Sequence, residues 1–363
     1  MDEKKVTYPG TEKLKLPPVK AINRGIQLFV VFTVVGVVLS VWWKSSANLS
    51  VVLKHIDTSY LYLLIPLVAL DYILGGFRYR LFFDGKVLPK ISMWDNMRAN
   101  WANIFMGAVT PFQTGGGPAQ FYILWRCGAK VSESVLVSAI NFAATLNFFL
   151  VSSVVALIVL PASIFATNIV YVIKIAFGVV GFITLVVILI LSFPRSGAAI
   201  IKSIFRVVPA RFKRASALRD RLVNTLTEGA ENFGDSFKQI LRRKKLSLVI
   251  VVFATLALFF NKYLIGYVIA LALGQNPNFG IFIGLQILHF FIVYFAPTPG
   301  ASGIAEVSSV WLMEKVMSTD ILIIYAVAWR FFTTHLGALI GGFVVLLDTR
   351  LLVKKSVQPV KKT

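Results

Sequence analysis

Six long apolar stretches constrain this chain more than any other feature. They run over residues 22–43, 59–83, 131–160, 168–193, 246–273 and 321–347. Each reaches the roughly 20 residues that an α-helix needs to cross a hydrocarbon core about 30 Å thick. Hydrocarbon offers no water to an unpaired backbone group, so such stretches cross as helices. The reading is an all-α polytopic membrane protein with six full transmembrane helices. Composition agrees, because 57% of 363 residues are hydrophobic and 15% are charged, which leaves too little polar surface to cover a soluble core.

The formal net charge of +21 raises nucleic acid as a partner. The Lys and Arg residues, however, fall in blocks between apolar stretches and not along one face. Anionic lipid headgroups are therefore the expected partner and nucleic acid is not. The blocks also set the orientation. The tail over 1–21, Arg78, Arg80, Lys86, Lys90 and Arg98, then Arg126 and Lys130, the stretch 194–245, and the tail over 350–363 are rich in Lys and Arg. Connections 161–167 and 274–278 have neither. Both termini are expected on the cytoplasmic side of the plasma membrane, with 22–43 as an uncleaved signal anchor.

Two units divide the spans: a first half over 22–193 and a second over 246–349, joined by the basic loop 194–245. In that loop Leu218, Leu222, Phe233, Phe237 and Leu241 recur near the helical period, which predicts an amphipathic helix on anionic lipid. A solvated connector is the alternative. Cys127, the one cysteine, excludes an intramolecular disulfide and reads as a packed thiol.

Each half contains a helix that breaks. In the first, around 94–127, the helix runs into Thr110-Pro111-Phe112-Gln113-Thr114-Gly115-Gly116-Gly117-Pro118 and resumes through Gln120. In the second, around 279–317, it runs into Pro297-Thr298-Pro299-Gly300-Ala301-Ser302-Gly303 and resumes through Glu306. Proline and glycine end a regular helix at both places. Matched breaks predict two re-entrant helical hairpins, and three crossings between them make the halves inverted-topology repeats. Transporters use such broken helices to bind substrate near the midplane. Ordinary interfacial loops are the plainer alternative.

Ionisable groups inside a span cost roughly 2.5–3.5 kcal/mol on insertion scales, so each needs a partner or a task. Lys262, beside Asn261, is an anion ligand or one end of a buried ion pair. Arg330, with Thr333 or Thr334 and Gly337 and Gly341 on its face, borders a cavity or a close helix contact. Glu306 is placed to pair with Arg330 or Lys262, or to carry a coupling proton. His289 and His335 are relay candidates, although a histidine in an apolar helix is more often structural. Asp71, Asn100, Asn103, Asn141 and Asn147 add polarity to the first half. The chain contains no HExxH, no phosphate-binding glycine loop ending in Lys-Ser or Lys-Thr, and no G-x-S-x-G elbow, and so gives no support to an enzyme and calls for no cofactor.

With these motifs in view, the chain resembles the transmembrane flippase region of the lysylphosphatidylglycerol synthase family. Its first motif, roughly T-P-G-G-x-G-G-E-x-x-R, is matched by Thr110, Pro111, Gly115 and Gly116, with Gly117 at the acidic position and Gln120 at the arginine. Its second, roughly P-T-P-G-G-x-G-x-x-E, is matched by Pro297, Thr298, Pro299, Gly300, Gly303 and Glu306, and a later R-x-x-T by Arg330 and Thr333. The resemblance implies a stand-alone lipid flippase without the aminoacyl-transfer domain. The substrate would be an anionic phospholipid or glycolipid, bound at the two motifs including Gln113 and Ser302, with Lys262 and Arg330 attracting the phosphate. The missing charges in the first motif imply a headgroup other than an aminoacylated one. A membrane-embedded enzyme on a lipid-linked substrate, a lipid-binding scaffold for a partner synthase, and a homodimer stay open.

Overall fold

A computed structural model describes residues 56–161 and 232–357, with scattered positions between 24 and 38 and between 178 and 185. The predicted crossings over 22–43 and 168–193, the tail over 1–21 and most of the loop 194–245 lie outside the described residues. The described residues are all helical or connecting, without a strand. Four helical stretches are long and apolar enough to cross a membrane: Thr58–Arg80, Val131–Ile158, Lys245–Ala272 and Thr319–Asp348. They coincide with four of the six predicted crossings.

In chain order the helices are α1 (Thr58–Arg80), α2 (Met93–Val109), α3 (Gly116–Arg126), α4 (Val131–Val159), α5 (Lys245–Ala272), α6 (Phe279–Tyr294), α7 (Ile304–Met313), α8 (Leu322–Arg330) and α9 (Leu336–Val357). Local chemistry sets several starts. Asp57 accepts from Ser59 N, Ser92 Oγ from Asp95 N and Asn278 Oδ1 from Ile281 N, each satisfying a backbone donor that the first turn leaves unpaired. Between α8 and α9 the chain makes a π-helical turn over Phe331–His335, so the last crossing is one rod with a local bulge.

The outside of the bundle is greasy. Ile65, Ile158, Leu246, Phe253, Leu339 and Phe343 are all exposed, an apolar surface too large for a water-facing monomer and natural against acyl chains. Inside, glycines allow helices to approach closely. A Cβ at Gly341 would lie 2.0 Å from Trp101 O, so α9 rests directly on the backbone of α2. Gly337 faces Ile104 and Tyr72. Of the two readings of this small-residue face, the close helix contact is the one seen.

The connections collect at two ends. At one, Asp57 N donates to Ala272 O (2.9 Å) and Ser318 N to Gln275 Oε1 (3.1 Å). At the other, Lys244 pairs with Asp84, and Arg98 and Arg126 share Asp348 at 2.6 and 3.3 Å. Of the Lys and Arg blocks, the described members Lys86, Lys90, Arg98, Arg126, Lys130 and Lys244 lie at the second end. Unit α2–α3 starts and finishes at that end, whereas α6–α7 starts and finishes at the other. Their breaks meet between, where Phe112 N donates to Pro297 O at 3.2 Å.

Residues 232–243 are helical. Phe233 and Ile240 are buried and Phe237 packs with them in the core around α2, α3 and α4. This end of the predicted amphipathic helix thus spends its apolar face on protein, while Leu241 remains exposed.

Candidate functional site

The two breaks share one backbone shape. After Thr110, the turn Pro111–Gln113 places Phe112 at φ 52, ψ 20 and Gln113 at φ 56. After Thr298, the turn Pro299–Ala301 places Gly300 at φ 56, ψ 22 and Ala301 at φ 59. Left-handed conformations cost an L-residue roughly 1–2 kcal/mol. The first break nevertheless puts two bulky side chains there. Each threonine fastens its own break: Thr110 Oγ1 donates to Met106 O and accepts from Gly115 N, and Thr298 Oγ1 donates to Ser302 O. Gly115 and Gly116 are packed so tightly against Thr110 and Asn103 that a Cβ at either would sit within 3 Å of a neighbour.

Beside the first break lies a cavity of about 600 Å³. Its lining mixes polar side chains, Arg78, Asn103, Gln113, Gln120, Asn141 and Thr145, with aromatic ones, Phe112, Phe121, Phe142, Phe259 and Phe295. Gly117 lies in its lining. No carboxylate lines it. Ala296, just before the second break, closes one side, so the space belongs to both halves.

Arg78 is the cation of this cavity. It stands in the last turn of α1, 7% exposed. Its Nη2 donates to Asn141 O at 2.6 Å and to Thr145 Oγ1 at 2.8 Å, while Nε has no partner. No carboxylate among the described residues pairs with it. A buried guanidinium held only by neutral oxygens keeps its full charge, which is expensive unless an anion shares the site. Three more polar atoms of the lining are buried without partners: Gln120 Nε2, Asn141 Oδ1 and Ser138 Oγ. Gln120 Oε1 accepts from Asn103 Nδ2 at 2.8 Å, which fixes the amide.

The charges singled out from the sequence lie elsewhere. Lys262 Nζ pairs with Asp71 at 2.7 Å, and the neighbouring Asn261 donates to Leu67 O; both tie α5 to α1. Arg330 is 1% exposed and pairs through Nε with Glu306 at 3.0 Å. It also donates to Gly300 O (2.9 Å), Ser302 Oγ (3.3 Å) and Thr334 Oγ1 (3.3 Å). The other Glu306 oxygen accepts from Gly303 N at 2.6 Å, capping α7. Arg330 and Glu306 thus lock the second break, and neither they nor Lys262 reach the cavity lining. Thr333 Oγ1 returns to Trp329 O within its own helix. His289, fully buried, meets Ala305 O through Nε2 at 3.0 Å and lies against the Trp329 ring, 4.4 Å between centroids. His335 is in the π-helical turn.

Sequence reasoning counted Arg78 among the loop charges and missed it as a site residue. A usable signal was present, because Arg78 lies inside the apolar stretch 59–83 and the test applied to Lys262 and Arg330 covers it equally. Asn103 and Asn141 were noted only as general polarity; the fold brings both to the lining of this cavity.

The model of the lysylphosphatidylglycerol synthase TM region matches residues 26–341. A UPF0104 membrane protein of Archaeoglobus fulgidus is 27% identical over 267 residues, covering 70% of this chain and 76% of the relative.

Proposed function

The chain belongs to the family of the lysylphosphatidylglycerol synthase transmembrane region, and from that premise we propose that it moves an anionic lipid between membrane leaflets. The observation that carries the reading is Arg78, a buried cation that pairs with no carboxylate among the described residues, in a cavity lined by both polar and aromatic side chains. A phosphate suits the guanidinium, which offers paired donors in a fixed fork. Aromatic side chains suit the glycerol backbone and upper acyl chains. A lipid could thereby pass its headgroup through the protein while its tails stay in the bilayer.

In the membrane, the four described crossings join those over 22–43 and 168–193 to make six. The units α2–α3 and α6–α7 are then re-entrant hairpins that enter from opposite faces and meet tip to tip. The end rich in Lys and Arg faces the cytoplasm, together with both termini, in the plasma membrane. Broken helices at membrane depth are tolerated where they line a cavity, and the first break does so.

The test is leaflet exchange of a tail-labelled phosphatidylglycerol in proteoliposomes. The protein should accelerate exchange over protein-free vesicles, and Arg78→Gln should remove most of the acceleration. Exchange no faster than in protein-free vesicles overturns the proposal.

A further inference from the structure

We propose that the headgroup taken by this cavity carries a single negative charge, as a phosphodiester, and is otherwise uncharged and rich in hydroxyls, such as a glycerol, inositol or sugar. The inference rests on the lipid-transport reading and deepens it to a substrate class.

The charge of the site limits the ligand first. Arg78 is the one ionised side chain in the lining, and no carboxylate accompanies it. A headgroup amine would enter beside a like charge, with nothing to neutralise it after losing its water. A zwitterionic or aminoacylated lipid is therefore disfavoured, since discrimination can come from what a site refuses as well as from what it attracts. A headgroup with two or more negative charges is disfavoured too, because a single guanidinium balances about one.

The uncharged polar groups select next. Gln120 is fully buried, its Oε1 is held by Asn103, and its Nε2 donor is unspent. Asn141 is 2% exposed with its Oδ1 acceptor unspent, and Ser138 Oγ is likewise unpartnered. Three residues of the lining thus keep a donor, an acceptor and a hydroxyl that does both without a protein partner. Buried polar groups of this kind are stable only when paired. A hydroxyl donates and accepts at once, so a polyol satisfies this mixed set where a bare phosphate, an acceptor alone, does not.

The experiment is native mass spectrometry of the full-length protein in mild detergent, with equimolar phosphatidylglycerol, phosphatidylinositol, phosphatidic acid, phosphatidylethanolamine and lysylphosphatidylglycerol of matched chains. Phosphatidylglycerol and phosphatidylinositol should be retained at least about tenfold over the others, a modest part of what buried hydrogen-bonding sites reach. Gln120→Leu should reduce that preference toward the level of phosphatidic acid. Gln113→Leu, on the exposed edge of the break, serves if Gln120→Leu fails to fold. Gln120→Glu should raise retention of the amine-bearing lipids.

Equal retention of phosphatidylethanolamine or lysylphosphatidylglycerol overturns the inference, as does equal retention of phosphatidic acid. In each case leaflet exchange in proteoliposomes still stands as a separate test of transport. Retention of none of the five lipids, together with absent exchange, removes the transport reading and this inference together.

Discussion

Arg330 Nε donates to Glu306 Oε1 at 3.0 Å, and the two side chains are 1% and 2% exposed. The pair joins α8 to the first turn of α7 and holds the second break between them through Gly300 O and Gly303 N. Removing one partner of a buried pair strands the other, at a cost of about 3–5 kcal/mol. Glu306→Gln and Arg330→Met should therefore each lower the melting temperature of the detergent-solubilised protein substantially. Arg330→Lys should do so as well, because an ammonium cannot reproduce the fork of bonds to Glu306, Gly300 and Ser302. A variant that melts like the wild type while losing lipid binding would reassign Arg330 from lock to ligand.

Lys262 and Asp71 make a second test of the same logic, 191 residues apart in sequence and 2.7 Å apart in space. Lys262→Met alone leaves Asp71 unpaired and should destabilise. Lys262→Met combined with Asp71→Leu should recover most of the loss, since replacing both partners by apolar groups is often close to neutral. Thermal melting of the two single variants and the double variant closes the cycle. A double variant no more stable than the singles would show that the pair does more than balance charge.

Phe112 and Gln113 hold left-handed backbone that glycine adopts without strain. Phe112→Gly should leave stability unchanged or raise it by about 1 kcal/mol, since relief of strain is partly offset by a freer unfolded chain. It should also change lipid exchange, because Phe112 belongs to the cavity wall. Phe112→Pro removes the N–H that bonds Pro297 O and cannot take the φ of 52 that this position needs, so it should break the turn and lower the melting temperature. Melting and exchange measured on both variants separate strain from function.

The face of α9 that meets α2 gives a steric prediction. Gly341→Leu drives a side chain into the Trp101 carbonyl, where even a Cβ would sit at 2.0 Å. Overpacking costs typically about 1–3 kcal/mol, and here the obstacle is backbone, so a strong loss of folded yield is expected. Leu339→Ala, on the exposed face of the same helix, should be nearly silent. Size-exclusion profiles in detergent distinguish the two.

Cys127 sits in the turn between α3 and α4, where burial pushes its thiol up to about 11. The thiolate is the reactive form, and a raised value leaves little of it at neutral pH. Maleimide labelling of the folded protein should thus be slow at pH 7, rise as the pH approaches that value, and become fast at pH 7 on unfolding. Rapid labelling of the native protein at pH 7 would contradict the packed thiol.

Much of the fold was legible because membrane helices announce themselves: length and apolarity located the four described crossings, and proline and glycine located both breaks. The equivalence of the breaks was legible in Thr110-Pro111 and Thr298-Pro299; the left-handed backbone that follows was not, because Phe112, Gln113 and Ala301 are not glycines. Pairing was legible in part: Glu306 was expected beside Arg330 or Lys262, and the fold gives it Arg330, whereas Asp71, 191 residues from Lys262, read only as general polarity. Arg78 was masked for another reason, since it lies near the end of its helix among other basic residues and reads as a loop charge until the fold turns it inward against Asn141 and Thr145. The site therefore moved from the charges that sequence ranked highest to Arg78, a buried cation that no carboxylate among the described residues balances.

The most direct measurement is mass spectrometry of the lipid that co-purifies with the protein in mild detergent, compared between wild type, Arg78→Gln and the double variant Lys262→Met with Asp71→Leu. The account predicts an anionic lipid on the wild type and on the double variant, and its loss from Arg78→Gln with the fold intact. Retention of the same lipid by Arg78→Gln, or its loss from the double variant alone, would contradict the assignment of the cavity cation.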